Sequence, residues 1–273
     1  MPGFSPGRFK FRVMRILVTF AVEAEFAPWR ARRTFDHENA EGLKLWRSAI
    51  GNSEVFVVLT GMGDHSASVM ELIMRVASSN RYFDVCVSSG LAGALRREYQ
   101  LSDIVVGKLL KSSVVHADLG RDWLETDKQL VELALAYGAK SAESFYTAEK
   151  VLTTAEQKSL LATKADVVEM ESFNVVKEGY AWGARGVAIR AISDLADENL
   201  PIDFNRTMSS DNRVSIPRVL AEVAKSPGAL GPLIRFGKQS RSAAEALAGF
   251  LETYVNEVVQ LVERQDSLKV AAR

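Results

Sequence analysis

The sequence has 273 residues, of which 47% are hydrophobic and 25% charged, a composition typical of a globular domain with a sizeable core. Lysine plus arginine total 34, as do aspartate plus glutamate, so the basic excess of nucleic-acid-binding proteins is absent and a small ligand is favoured. The single cysteine, Cys86, excludes a disulfide framework within the chain, and its apolar neighbours predict a buried thiol in a cytoplasmic protein.

The N-terminal residues are basic but lack an apolar core of signal-peptide length. We predict a flexible leader over residues 1–14 and a single α/β domain over 15–263. Within that domain, 198–263 is a predicted helical C-terminal extension, and 264–273 is a predicted tail. No apolar run reaches the about 20 residues of a membrane-spanning helix, which predicts a soluble protein.

The first predicted strand is the apolar run 15–21, and Glu25 follows its carboxyl end. Ligands of open α/β sheets bind at that end, so Glu25 is a candidate site residue, with a solvated loop carboxylate as the alternative. Two further strands are predicted over 43–50 and 54–59, and the second leads through Gly61 and Gly63 into a helix. These glycines favour close approach of a sugar or base, or a tight turn. They do not complete a dinucleotide fingerprint, so a dehydrogenase is a distant alternative.

Residues 83–89 predict another buried strand, and small residues follow from Gly90 onward. We interpret them as a turn whose backbone N–H groups could meet a ligand oxygen, with an ordinary turn as the alternative. Helices are predicted over 127–138 and after the capping box at 154–157.

Three acids and an arginine lie in or directly after the next two apolar segments. A short strand at 166–168 runs into Glu169 and Glu171 at the start of a helix, where helix capping is their alternative role. The strand predicted over 186–192 contains Arg190, and a buried arginine requires a carboxylate partner or an anionic ligand. Asp194 follows this strand, with an N-cap as its alternative role.

The segment beyond Pro201 is predicted to be helical over 216–224, 229–236 and 243–262. We interpret these helices as packed on the domain, and a pocket cover or a peripheral membrane contact is the alternative.

Alternating strands and helices predict an α/β fold: a single three-layer domain with a central mixed sheet flanked by helices. Glu25, Glu171 and Asp194 adjoin the carboxyl ends of predicted strands, so we expect them to converge on one pocket. Several carboxylates suit a reaction that builds positive charge and needs a proton donor, such as cleavage of an N-glycosidic bond. Neither a cofactor nor a metal is predicted.

Five segments resemble the nucleoside phosphorylase and nucleosidase superfamily, and most of all its methylthioadenosine/S-adenosylhomocysteine nucleosidases. They occur in family order at 21–25, 61–63, 89–95, 168–171 and 190–194. The resemblance implies a hydrolase that takes a nucleoside as its small-molecule partner and forms a homodimer or larger homo-oligomer. The region from Asn199 to Ala243 is similar to hopanoid-associated nucleosidases, which remove adenine from an adenosyl lipid.

The resemblance implies a role for each matching residue. Asp194 would protonate N7 of a purine, oriented by Ser193, and Glu25 would deprotonate the attacking water, supported by Arg190. An acid that works at neutral pH needs a raised pKa, so we expect Asp194 to be desolvated. The residues expected to bind the substrate are Glu169, Glu171, Met170, Gly90 and Leu152, with Glu171 on the ribose hydroxyls, Met170 under the ring and Leu152 against the base.

Three departures from the family pattern affect the choice of nucleophile. The places of two phosphate-binding arginines hold residues 22–25 and Ser88, and an acid there repels a phosphate dianion, which favours water. Leu91 replaces a serine that helps to place the nucleophile. A phosphorylase and a catalytically silent nucleoside-binding protein are the alternatives.

Overall fold

The structure is a computed structural model that describes residues 13–40, 43–63, 65–78, 83–207, 216–225 and 227–271. The leader predicted over 1–14 therefore lies almost entirely outside the described residues. The strands are β1 (Arg15–Phe20), β2 (Asp36–Ala40), β3 (Leu43–Ile50), β4 (Ser53–Leu59), β5 (Val85–Ala94), β6 (Ile104–His116), β7 (Arg121–Glu125), β8 (Lys140–Thr147), β9 (Val167–Glu169) and β10 (Arg185–Asp194). The α-helices are α1 (Glu23–Arg30), α2 (His65–Ser78), α3 (Lys128–Ala136), α4 (Ala155–Leu161), α5 (Ser172–Ala181), α6 (Ile216–Lys225) and α7 (Leu230–Ala271).

Strand β5 is the pivot of the mixed sheet. One edge of β5 pairs first with β1, in parallel, and further along with β9, antiparallel. From β1 the sheet continues through β4, β3 and β2. The other edge of β5 pairs with β10, and the path β10–β6–β8–β9 returns to β5. Five strands thus close into a ring, and the predicted mixed sheet is confirmed.

Side chains that alternate along the strands build the three layers. Ile16 and Val18 of β1 belong to the core shared with α1, α3 and α7, whereas Leu17 faces the core shared with α2 and α5. Cys86 lies in that second core as a fully buried free thiol, and burial raises its pKa to about 12. The prediction of a buried, unreactive cysteine agrees with this environment.

Three predicted segments differ in the structure. The residues predicted as a turn after β5 continue as strand through Ala94, because small side chains fit where β5 pairs with both β9 and β10. Residues 23–30, for which no helix was predicted, form α1, whose first turn is capped by the Glu25 side chain. Helix α7 is continuous over Leu230–Ala271, so two predicted helices and residues 264–271 of the predicted tail form one element.

None of the described helices combines the length and the apolar character that crossing a membrane requires.

Candidate active site

A cavity of about 930 Å³ opens at the carboxyl ends of β1, β5 and β10. Seven of the nine predicted site residues line it: Glu25, Leu152, Glu169, Met170, Glu171, Ser193 and Asp194. The other two, Gly90 and Arg190, are buried but are not among the lining residues. The structure therefore brings the three predicted acids, Glu25, Glu171 and Asp194, into one cavity.

Glu25 is held by backbone N–H groups from two elements. Its carboxylate accepts hydrogen bonds from Ala21 N at 2.9 Å, Val22 N at 3.3 Å and Leu91 N at 2.9 Å. Gly90 makes this possible, because a Cβ there would lie 2.9 Å from Glu25 Oε1 and its φ is +146°. Burial raises the pKa of Glu25 above its ordinary value, while the hydrogen bond from Leu91 and the charge of Arg190 act in the opposite direction.

Arg190 is fully buried and binds the glutamates that follow β9. Its Nη2 lies 2.7 Å from Glu169 Oε2 and 3.5 Å from Glu171 Oε2, and it also donates to Ser88 Oγ at 3.1 Å. Arg190 acts on Glu25 through its charge, which lowers the pKa of Glu25 and favours the ionised form that a base requires, so the predicted support stays a prediction. The requirement for a carboxylate partner is met by Glu169.

All the contacts of the Glu169 carboxylate lie within the fold. It accepts hydrogen bonds from the hydroxyl of Thr147 and the guanidinium of Arg190. It also accepts hydrogen bonds from the backbone N–H groups of Glu171 and Ser172, at 2.9 and 2.7 Å. These amides precede or begin α5, so Glu169 has the helix-capping role that was its alternative. Three of these four hydrogen bonds go to Oε2 and one to Oε1, and Glu169 also lines the cavity, so its role in substrate binding stays a prediction.

Glu171 lies two residues later and faces the cavity. Its Oε1 accepts a hydrogen bond from Gly63 N at 3.2 Å, which places the glycine turn after β4 against the site. Burial raises the pKa of Glu171 to about 8, and repulsion from Glu169 acts in the same direction, against the attraction of Arg190. Glu171 is therefore an acid poised to change charge near neutral pH.

Asp194 ends β10 and is buried, as expected. Ser193 Oγ lies 2.9 Å from Asp194 Oδ2 and 3.3 Å from Ala92 O of β5, and its one proton can be donated to either oxygen. Ser193 therefore orients the acid next to β5. Gly93 allows the close approach, because a Cβ there would lie 2.9 Å from Asp194 Oδ1.

The same carboxylate forms an ion pair with the ammonium of Lys158, which sequence reasoning missed. Lys158 is 1% exposed, whereas Leu160 in the same helix is 71% exposed, so α4 places a charge inward and an apolar residue outward. A usable signal was its spacing, since Lys158 shares a helix face with Leu161 and Ala162.

Two helices that no motif marked complete the cavity wall. From α1 come Ala24, Ala27, Pro28 and the following Ala31, and from α7 come Phe236, Gly237, Ser240 and Arg241. The Phe236 ring lies 5.4 Å from that of Phe204, centroid to centroid. The cavity therefore has an acidic end at the sheet and a mainly apolar end between α1 and α7, where Ser240, the Arg241–Glu245 ion pair and the exposed Arg32 also form part of the lining.

Within the part of the chain that the structure describes, no cluster of three histidine, cysteine or acidic side chains has an arrangement suited to a metal ion.

Comparisons with known proteins agree with this architecture. The family model described as "Phosphorylase superfamily" matches residues 15–225. A 5'-methylthioadenosine/S-adenosylhomocysteine nucleosidase of Staphylococcus saprophyticus is 25% identical over 186 residues, covering 61% of this chain and 79% of the relative. A protein of the same name from Haemophilus ducreyi is 25% identical over 182 residues, covering 60% and 77%.

Two solved structures have a similar fold. The structure of a Helicobacter pylori futalosine hydrolase mutant superimposes with a TM-score of 0.68 at 20% identity, covering 90% of this chain and 100% of that one. The crystal structure of 5'-methylthioadenosine/S-adenosylhomocysteine nucleosidase from Helicobacter pylori with butyl-thio-DADMe-Immucillin-A gives a TM-score of 0.68 at 20% identity, covering 90% and 100%.

The raised pKa of Glu171 predicts a pH-dependent effect on stability. Folding raises this pKa from 4.5 to about 8, so its contribution to stability is fully present below pH 4.5 and is lost as the pH rises through about 8. Glu171→Gln should remove that loss. Between pH 5 and pH 9, its unfolding free energy should improve relative to the parent by at least about 1 kcal/mol.

Urea unfolding at a series of pH values measures this difference. Glu156→Gln, an exposed position in α4, is the matched control and should track the parent at every pH. A constant difference between Glu171→Gln and the parent over the whole range would show that Glu171 titrates normally.

Proposed function

The chain belongs to the phosphorylase superfamily, and we propose that it hydrolyses the N-glycosidic bond of a purine nucleoside and releases the base. The observation that carries the proposal is the convergence of Glu25, Glu171 and Asp194, all buried, on one cavity. Bond cleavage leaves the sugar with oxocarbenium character, which carboxylates stabilise, and the departing base needs a proton, which a carboxylic acid supplies.

Each acid has a position suited to one part of the reaction. Asp194 would donate to N7 of the base, with Ser193 fixing the orientation of its carboxyl group. Glu171 would bind the ribose hydroxyls and stabilise the cationic sugar, with Met170 packed under the ring. Glu25 would accept the proton of the attacking water, and its raised pKa brings it closer to neutral pH as a base. Leu152 would lie against the base.

The charge distribution favours water over phosphate as the nucleophile. Among the described lining residues, the cations Arg32, Lys150 and Arg241 are exposed, and Arg241 is paired with Glu245 at 3.0 Å. The buried Arg190 is occupied by Glu169. A phosphate dianion beside Glu25 would therefore meet an acid without a buried cation to balance it.

The second end of the cavity favours a substrate with an apolar 5'-substituent. Relatives at 25% identity are named for 5'-methylthioadenosine and S-adenosylhomocysteine, which supports an adenosine with a substituted 5' position. Sugar held at Glu171 would direct that substituent toward the alanines of α1 and the Phe236 side of α7. Methylthioadenosine, S-adenosylhomocysteine and an adenosyl lipid such as adenosylhopane form the substrate class that we propose.

The homo-oligomeric state, a membrane contact of the C-terminal helices and the cytoplasmic location stay predictions from the sequence. A surface for the first two exists on α7, where Leu230 and Ile234 are 52% and 53% exposed.

Asp194→Asn should lower the rate of adenine release about 10²- to 10⁴-fold, because the amide cannot donate a carboxyl proton to N7. The measurement is adenine formation from a panel of 5'-substituted adenosines, with and without phosphate. The parent rate should not depend on phosphate, and the sugar should be released unphosphorylated.

Asp197→Asn is the matched control, because Asp197 is an exposed acid three residues further along the chain. Formation of ribose 1-phosphate would establish a phosphorylase instead. Nucleoside binding without adenine release from any substrate would establish a catalytically silent binding protein.

Gly237→Phe should discriminate between substituents of different size. Gly237 lines the apolar end, and a Cβ there meets no atom within 4 Å, so the phenyl ring can narrow the cavity without distorting α7. We expect kcat/KM to fall at least about tenfold for a long apolar 5'-substituent, consistent with loss of a few buried methylene contacts, and to change little for methylthioadenosine.

Gly231→Phe is the control, since Gly231 lies in the same helix with equal space but outside the cavity. Equal losses for the two substrates would place the 5'-substituent elsewhere.

A further inference from the structure

Lys158 is a buried charge whose contacts all lie next to the proposed proton donor. Its ammonium pairs with Asp194 Oδ1 and donates to the carbonyl oxygens of Leu195 at 2.7 Å and Glu198 at 3.1 Å. Three acceptors satisfy the three N–H donors of the ammonium. A lysine is rarely placed this deep without a partner, because an unpaired buried ammonium is costly.

Hydrogen bonds join the start of α4 to the segment after β10, and they fix the position of Lys158. The capping box joins Thr154 to Gln157 at the first turn of α4. Ala155 N then donates to Asn199 Oδ1 at 2.7 Å, and Leu200 N donates to Thr153 O at 2.9 Å. The ammonium is thus carried on a helix whose own end is bonded to the segment that follows Asp194.

Lys158 does not line the cavity, so it can act on a substrate only through Asp194. The other titratable groups around the acid are Lys150 before α4, Glu198 after β10, and Glu25, Glu169 and Glu171 across the cavity, with the Arg190 charge behind them. Among the described residues, Lys158 alone forms an ion pair with Asp194.

We propose that Lys158 is a positioning residue that fixes Asp194 toward the base and stabilises the carboxylate left when Asp194 gives its proton to N7. The proposal rests on the proposed function. In that step the N7–H bond forms while the C1'–N9 bond breaks, the water oxygen bonds to C1', and the water proton passes to Glu25. Asp194 must carry a proton at the start of the step, and transfer of that proton to N7 creates the carboxylate that pairs with the fixed ammonium of Lys158. A fixed positive charge at this point lowers the energy of such a transition state.

Lys158→Met tests the proposal, since it keeps most of the side-chain volume and removes the charge. We expect kcat to fall about 10-fold or more with little change in KM, consistent with loss of one fixed charge at the transition state. The alkaline limb of the kcat–pH profile should move to higher pH, because a nearby positive charge favours the ionised form of a carboxyl group and Lys158→Met removes that charge. Lys158→Arg keeps the positive charge, so the alkaline limb should return part of the way to its position in the parent.

A direct titration separates this proposal from the proposed function. Carbon-13 NMR of the Asp194 carboxyl group follows its charge whether or not adenine is released. The expected result is a titration midpoint at higher pH in Lys158→Met than in the parent, and an unchanged midpoint in Glu156→Gln, an exposed one-charge change in the same helix.

An unchanged Asp194 midpoint in Lys158→Met would overturn the proposal, as would a loss of kcat without any shift of the pH profile, which is the signature of a purely structural lysine. A parent that releases no adenine would overturn the proposed function, and the NMR midpoint would still decide whether Lys158 controls the charge of Asp194.

Discussion

The buried pair of Arg190 and Glu169 is the interaction on which the candidate site depends. Four carboxyl groups, those of Glu25, Glu169, Glu171 and Asp194, lie within one buried region and would repel one another if all were charged. The positive charge of Arg190 offsets the negative charge of Glu169, and that of Lys158 offsets the negative charge of Asp194. Burial and repulsion from Glu169 raise the pKa of Glu171, which lowers the cost of placing a further acid in this region.

The closed ring of strands fixes the positions of these buried charged groups. Strand β5 carries Gly90 against Glu25 and Gly93 against Asp194, and both approaches require the missing Cβ. Since β5 also pairs with β1, β9 and β10, it fixes the distance between the acids that those strands carry. The two buried cations, Arg190 and Lys158, contact the acids without lining the cavity themselves.

Sequence patterns predicted the acids that lie at the ends of strands. They did not predict the contacts that depend on the path of the backbone after those strands. The apolar runs located β1, β5 and β10, and hence Glu25 and Asp194 beside one cavity. The sequence named Glu171 as the acid that faces the pocket, but it did not show that the Glu169 carboxylate would accept hydrogen bonds from the backbone N–H groups that begin α5, because that depends on the turn between β9 and α5. Lys158 was missed because a lysine in a short polar helix is ordinarily exposed. Helix α1 was missed because it is short and contains Pro28.

The central claim is that these acids, together with their buried cations, catalyse hydrolysis of the N-glycosidic bond between a sugar and a purine. The most direct test is turnover of a 5'-substituted adenosine in water enriched with oxygen-18, with mass spectrometry of the released sugar. The account predicts one heavy oxygen at C1 of the sugar and free adenine in equal amount, in a buffer without phosphate. A sugar without heavy oxygen, or one released only as its 1-phosphate, would contradict it.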